Sequence, residues 1–512
     1  MRRFASLLAC LLLPLAAAAD PEKADPQTLL LSRMIGPTPL LSDTRALVDG
    51  IGGRPTGSAA LDQAIAWGLA RFKEAGLENV HPEPYRAPSI WLSHAESAEL
   101  VSPRAAWESP EAGRLRVAGM PFTTPTPPGG LEAPVADVGA GDEAGFASAG
   151  PARVRGAWVL IHTEPMRSLD DLFKEYLATP AIVERARVGG AAGVLWISNR
   201  PARLLYRHNA TLDGSVYPLP GAVVEREGGL RLSRLIAAGQ SVRVKLTLDS
   251  EARKDAPAQN VVAELRGREK PDEVIILGAH LDSWDLGRGA LDNASNVALV
   301  LDVARQMAAL AREGFRPRRT VRFALYTGEE AGLWGSWAEA RSSRAGLDRV
   351  KAQIVYDVGT GRTTGFSLGG REDLRAATEA ALRPVAAFGP FTHTADAFVG
   401  TDNYDYLVEG VPTLVANQEG GPYLPDYHAE SDTFDKVDAR ELKVNAAIAA
   451  ALAFGLADAE AAPAPRQSRE QVEALLKATG LDTQMKVFGI WEPFQKGERG
   501  REAPARKGQK RP

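Results

Sequence analysis

One cysteine and seven histidines are all that 512 residues hold of the softer metal-binding side chains. The lone thiol, Cys10, rules out a disulfide within the chain and any cysteine-built zinc cluster. A surplus of one charge is missing too. The 60 Lys and Arg face 64 Asp and Glu, a formal net charge of −4, so the chain carries no electrostatic footprint for nucleic acid. No apolar run approaches the ~20 residues that cross a bilayer, so no membrane span is expected. No internal repeat is visible either. What remains is a chain with 45% hydrophobic residues, long enough for a large core and for two or three domains.

Residues 1–19 read as an export signal. Arg2 and Arg3 form the positive start, Leu7 to Leu15 the apolar segment, and Ala17-Ala18-Ala19 the small-residue cleavage site. The expected location is therefore periplasmic or secreted. Leu7-Leu8-Ala9-Cys10 also suggests a lipoprotein anchor, but the apolar segment before that cysteine is too short to serve it well. Cleavage after Ala19 leaves a mature chain without thiols, stabilised by its core and by any metal it holds.

Ser42 to Gly76 reads as two helical pieces interrupted at Gly50–Pro55, the second with Leu61, Ile65, Leu69 and Phe72 at helical spacing and Gly76 as its cap. Strands are expected at Val80–Tyr85 and Ala98–Val101. Trp107 to Gly130, rich in proline, glycine and threonine, reads as a crossing into an inserted module. That module, 111–252, has short strands and small helices: Trp158–Ile161, Ala192–Trp196, Gly221–Val224, Ser241–Val244. Its His162 and His208 are solitary and read as satisfied surface residues. Asn209-Ala210-Thr211 fits a glycosylation acceptor, a short motif of little weight. From Asn260 strands and helices alternate: strand Val274–Ala279, helix Ala294–Ala311, strand Thr320–Tyr326, helix Leu333–Arg341, strand Ala352–Tyr356, helix Leu374–Leu382, strand Pro412–Ala416, helix Ala439–Ala457. The pattern implies an α/β fold, a mixed and mostly parallel sheet with helices on both faces. Residues 461–512 read as an extension with one amphipathic piece, Ser468 to Thr479, ending in a basic, solvated tail from Lys496.

The chemistry gathers where these strands end. His280 closes the first, with Asp282 at H-x-D spacing, Asp292 before the next helix, and Gly287 and Gly289 to let the loop turn. Glu329-Glu330 follows the second strand, Asp357 the third, and His428 precedes the last helix. Singly, each has an ordinary explanation: capping aspartates, acids favoured by a helix N-terminus, an exposed loop histidine. Together, two histidines and three carboxylates suit two adjacent zinc ions, each with one imidazole and one terminal carboxylate while the third carboxylate bridges. Nitrogen with oxygen donors favours zinc over calcium or magnesium.

These motifs, GAHLDSWDLGRGALDN, TGEEAGLWG, VYDVGTG, GTDNYDYL and DYHAESDTFDKVD, resemble those of the co-catalytic di-zinc exopeptidases, and within them the carboxypeptidase Q group. The resemblance spans roughly residues 40 to 460, reaching GLENVHPEPYRAP and a protease-associated-type, β-rich insertion. It implies the zinc-exopeptidase fold, with peptidase segments 20–110 and 253–460 around insertion 111–252. It also implies two zinc ions: His280 and Asp357 on one, Glu330 and His428 on the other, Asp292 between them. Glu329 would be the general base, and Asp282 would hydrogen-bond His280 from behind. A short peptide, dipeptides in particular, would be the substrate and a homodimer the assembly. Gly328, where relatives often have alanine, and Asn293, where an acid or glycine is common, depart from the pattern without removing a ligand. Tyr404, Tyr406, Tyr423 and Tyr427 are oxyanion candidates, with aromatic packing the simpler role for most of them. Two rivals share the fold: a binding protein that has lost the chemistry, and a single-zinc acyltransferase of the glutaminyl-cyclase type.

Overall fold

The computed structural model describes residues 25–103 and 110–502. The expected export signal, Cys10 and the last ten residues lie outside that range.

The sheet is organised around strand Lys270–His280, which is parallel to Arg319–Tyr326 on one side and to Val350–Val355 on the other. Thr413–Gln418 continues the parallel run beyond Val350–Val355, and Thr363–Ser367 closes that edge antiparallel. On the other edge Arg243–Leu265 pairs antiparallel with Arg319–Tyr326. This is the mixed, mostly parallel sheet that the alternation predicts.

Side chains along the central strand divide between two layers, as a doubly covered strand requires. Ile275, Leu277 and Ala279 join the main core beneath helices Ser295–Arg312 and Ala439–Asp458, whereas Ile276 joins Ala324, Tyr326 and Tyr406 on the opposite face. Helix Ala59–Ala75 covers the first face as well. Ser58 caps its start and Gly76, at φ 79°, its end.

The predicted short strands Val80–Tyr85, Ala98–Val101 and Ser241–Val244 prove to belong to two long ones. Glu78–Ser102 and Arg243–Leu265 run antiparallel as a ribbon, from Glu78 opposite Glu264 to Ser102 opposite Arg243. Prolines in the middle argue against continuity in the sequence. Pro82, Pro84 and Pro88 share one parity between bulges, however, so their missing N–H groups all fall on one edge of the strand.

Between the two long strands lies the inserted segment. Leu131–Asp137, Trp158–Ile161, Gly193–Ile197 and Gly221–Val224 are parallel, and Val117–Gly119 is antiparallel to the last. The segment is more helical than its sequence suggests. Leu169–Val188 is a 20-residue helix despite Pro180 within it.

The C-terminal extension corrects an expectation. Arg469–Ala478, Leu481–Val487 and Trp491–Lys496 are helices whose Leu476, Leu481, Met485 and Phe494 are buried against Tyr404, Leu407 and Val408. Docking continues past Lys496. Arg499 is 4% exposed and pairs with Asp405 through Nε–Oδ1 at 2.7 Å and Nη2–Oδ2 at 2.8 Å. A basic count alone suggests solvent, but this cation has a buried partner. Among the described residues no helix is long and apolar enough to cross a membrane.

Candidate metal centre

His280 is the last residue of its strand, Glu329 and Glu330 follow Tyr326 by three and four positions, and Asp357 lies two beyond Val355. The C-terminal ends of three adjacent parallel strands thus deliver side chains to one crevice, the usual place for chemistry in such sheets. Asp292 arrives on the turn before Ser295–Arg312, and His428 on the loop after Thr413–Gln418.

All five expected ligands meet. His280 Nε2 is 2.8 Å from Asp357 Oδ1 and 3.1 Å from Asp292 Oδ1. His428 Nε2 is 2.8 Å from Glu330 Oε2 and 3.4 Å from Asp292 Oδ2. His280, Asp292 and Asp357 offer donor atoms within 4.8 Å of one another, as do Asp292, Glu330 and His428. Asp292 belongs to both groups and turns one oxygen to each.

The chemistry of the donors fits divalent cations. Asp292 Oδ2 and Glu330 Oε1 are buried and accept no hydrogen bond from the described residues. Such oxygens are costly unless a cation faces them. Both imidazoles turn Nε2 inward because Nδ1 is engaged behind: His280 Nδ1 with the Asp282 carbonyl at 3.0 Å, His428 Nδ1 with the Arg207 carbonyl at 3.3 Å. Imidazole with carboxylate, and no sulfur, is a zinc-type set.

Electrostatics separate the two histidines. Burial pushes His428 down to about 4, with Asp292 opposing, so the ring is neutral at physiological pH. Burial pushes His280 the same way, but the charges of Asp357 and Glu329 outweigh it and hold the ring well above its ordinary value. Burial also drives Glu330 and Glu329 well above the usual carboxylate range, and neighbouring carboxylates add to it. Asp292 goes down despite burial, because the hydrogen bond from His280 and the His428 charge prevail.

Glu329 is half-buried, lines the cavity beside the cluster, and its main-chain N–H donates to Asp282 Oδ1 at 3.3 Å. Gly328 before it has φ 73°, the left-handed region that glycine adopts without strain. Asp282 differs in detail from the expectation. Its carboxylate Oδ1 is 3.6 Å from His280 Nδ1, beyond an ordinary hydrogen bond, and the main-chain carbonyl is the nearer acceptor. The carboxylate instead accepts from Thr56 Oγ1 at 2.8 Å.

Several supporting residues escaped the sequence reading. Asp432 accepts from the N–H groups of Leu291 and Asp292 at 2.7 and 3.1 Å, and burial raises it to about 7. Asn293, noted only as a departure, donates to Asp357 Oδ1 at 2.7 Å; the Asp292–Asn293 peptide is cis. Buried Arg54 donates to the carbonyls of Leu281 and Gly289 at 2.8 and 3.1 Å, tying the loop shut. Gly289, at φ 60°, leaves room there: a Cβ would lie 2.9 Å from that guanidinium. His428 itself adopts φ 55°, which costs an L-residue about 1–2 kcal/mol and is held by its surroundings.

Other expectations change with the fold. His208 is 1% exposed, not a surface residue, because Tyr176, Trp196 and Tyr206 pack around its ring. His162 is half-buried and satisfied by Asp137 at 3.0 Å. Asn209 is buried and donates to the Glu330 carbonyl at 2.8 Å, so it is no sugar acceptor in the folded chain. Of the four tyrosines, Tyr423 and Tyr427 line the cavity, Tyr427 stacked 3.7 Å from His428. Tyr404 and Tyr406 are core.

Residues 260–453, the span that carries the whole donor cluster, match the family model described as peptidase family M28. Over these residues the chain is similar to the M28 peptidases. Carboxypeptidase Q of Mus musculus is 29% identical over 419 residues, 80% of this chain and 84% of the relative. That of Homo sapiens is 28% identical over 421 residues, 81% and 84% of the two chains. The fold is shared with two solved structures. A peptidase M28 precursor from Shewanella amazonensis has TM-score 0.75 at 24% identity, over 86% of this chain and 98% of that one. A zinc aminopeptidase from Bacillus subtilis has TM-score 0.64 at 17% identity, over 84% and 97%. The M28 match and the carboxypeptidase Q relatives make this chain a metallo-exopeptidase. The matched span ends before the C-terminal extension and begins after the inserted segment.

Proposed function

We propose that this chain is an exported, two-zinc exopeptidase that hydrolyses short peptides bearing a free N-terminus, dipeptides among them. The observation that carries the reading is Asp292, whose two oxygens face two different histidines at 3.1 and 3.4 Å. His280 and Asp357 would hold one ion, Glu330 and His428 the other, and Asp292 both. Bound zinc supplies Lewis acidity, which makes water a nucleophile near neutral pH and polarises the scissile carbonyl. Glu329 takes the proton of the attacking water and returns it to the leaving amine. Asp282 fixes Glu329 through its main-chain N–H, and Tyr423 and Tyr427, which line the cavity, would donate to a developing oxyanion.

Charge in the cavity supports recognition of an amino end. Arg499 is the only lysine or arginine among the described residues lining it, and Asp405 occupies that guanidinium. Asp170 and Asp396 line the same space, so an ammonium finds acids where a carboxylate finds no free cation. The inserted segment, taken as 111–252 and of protease-associated type, would shape the site rather than react. The signal at 1–19 would direct export, and the assembly would be a homodimer.

The test is a dipeptide library on the zinc-loaded mature protein, with free and blocked termini, before and after chelation. Turnover of free-amino peptides that is lost on chelation and restored by zinc is expected. Full zinc without turnover would favour a binding protein, and one zinc with cyclase activity the transferase.

A further inference from the structure

We propose that the C-terminal extension is a specificity element, whose Phe488 and Ile490 wall the substrate cavity and select a bulky apolar side chain beside the scissile bond. The inference rests on the peptidase reading above and adds the class of peptide.

Its first support is position. The cavity that holds the metal donors encloses about 590 Å³, a small-peptide volume, and Phe488 and Ile490 line it from outside the matched peptidase span. Leu172 and Phe173, from helix Leu169–Val188 of the inserted segment, line it too, and so does Phe398. Part of the apolar lining therefore comes from outside the metal loops, beside Leu333 and Val358, which follow Glu330 and Asp357. Its residues are held as core: Phe488 is 6% exposed and Ile490 4%.

The second support is how firmly the extension is seated. Leu476, Leu481 and Met485 are wholly buried in the cluster that includes Tyr404 and Leu407. Arg499 then latches the segment after Lys496, bidentate on Asp405 and surrounded by the rings of Trp334, Trp337 and Tyr404 at 5.6, 5.4 and 5.3 Å. A wall so anchored is preformed and can discriminate by shape. Charge works in the same direction, since Arg499, the one lysine or arginine among the described lining residues, is already paired and gives no reward to an acidic side chain.

The experiment compares kcat/KM of the zinc-loaded full chain on Phe-Ala, Leu-Ala, Ala-Phe and Ala-Leu with Ala-Ala. A preference for the bulky apolar residue in one of the two series is expected. In Phe488→Ala that preference, taken as the ratio to Ala-Ala, should fall about 10-fold, the scale on which apolar pockets discriminate. Phe488→Leu, a gentler change should the first fail to fold, should move the ratio the same way by less. No preference in wild type, or a ratio unchanged in the folded variant, overturns the inference and leaves the peptidase reading intact. If wild type cleaves none of these peptides, the peptidase reading fails. Calorimetric binding of Phe-Ala or Ala-Phe against Ala-Ala then decides the pocket: tighter binding of one bulky peptide, weakened in Phe488→Leu, supports it, and equal binding overturns it.

Discussion

The two halves of the candidate metal centre present the same kinds of atoms and rest on different parts of the molecule. His280 and Asp357 come from neighbouring strands of the central sheet, and the contacts that aim them, the Asp282 carbonyl and Asn293, belong to the same sheet-end loops. His428 and Glu330 lean on the inserted segment instead. The Arg207 carbonyl receives the His428 ring, and Asn209 holds the Glu330 main chain. Arg207 is itself fixed by ion pairs with Glu96 at 2.6 Å and Asp285 at 2.8 Å. One half is therefore built by the sheet alone, while the other needs the insertion seated correctly. Only Asp292 belongs to both.

The largest effect should follow from breaking what the halves share. Asp292→Ala should abolish turnover and strip most of the zinc, and metal analysis showing unchanged zinc content would contradict the bridging role. Next comes the group that holds no metal. Glu329→Gln should lower kcat by about 10²- to 10⁴-fold with zinc retained, and near-wild-type turnover would show the base to be elsewhere. A smaller effect separates the halves. Asn293→Ala should weaken one zinc by about 10- to 100-fold and spare the other, as loss of a supporting hydrogen bond does. Asn209→Ala should disturb the other ion instead, and stepwise zinc titration would reveal either pattern. Equal loss of both ions in each variant would erase the distinction. Arg499→Met removes no metal donor. It leaves Asp405 buried and unpaired, which should cost about 3–5 kcal/mol in chemical denaturation with zinc binding kept.

The same division explains what could be read from the sequence. The sheet half was legible because strand, ligand and loop are contiguous: Val274 to His280 is one apolar run ending in its ligand, and Asp292 follows within the same motif. The second half was legible only as residue types, since nothing in Tyr427-His428-Ala429 says that its support is Arg207, more than two hundred positions earlier. Arg54 read as no more than part of a helix break for the same reason. The long ribbon was hidden because prolines on one edge look like strand breakers until the partner strand is known. The amphipathic helix of the extension is legible, but the burial of the basic stretch up to Arg499 is not, because its partner Asp405 lies far off inside the GTDNYDYL motif.

The central claim is that two cations share Asp292. A crystal structure of the zinc-loaded protein, with anomalous data collected on either side of the zinc absorption edge, tests it most directly. Two peaks flanking the Asp292 carboxylate, one beside His280 and Asp357 and one beside Glu330 and His428, are the predicted result. A single peak, or zinc bound away from Asp292, would contradict it.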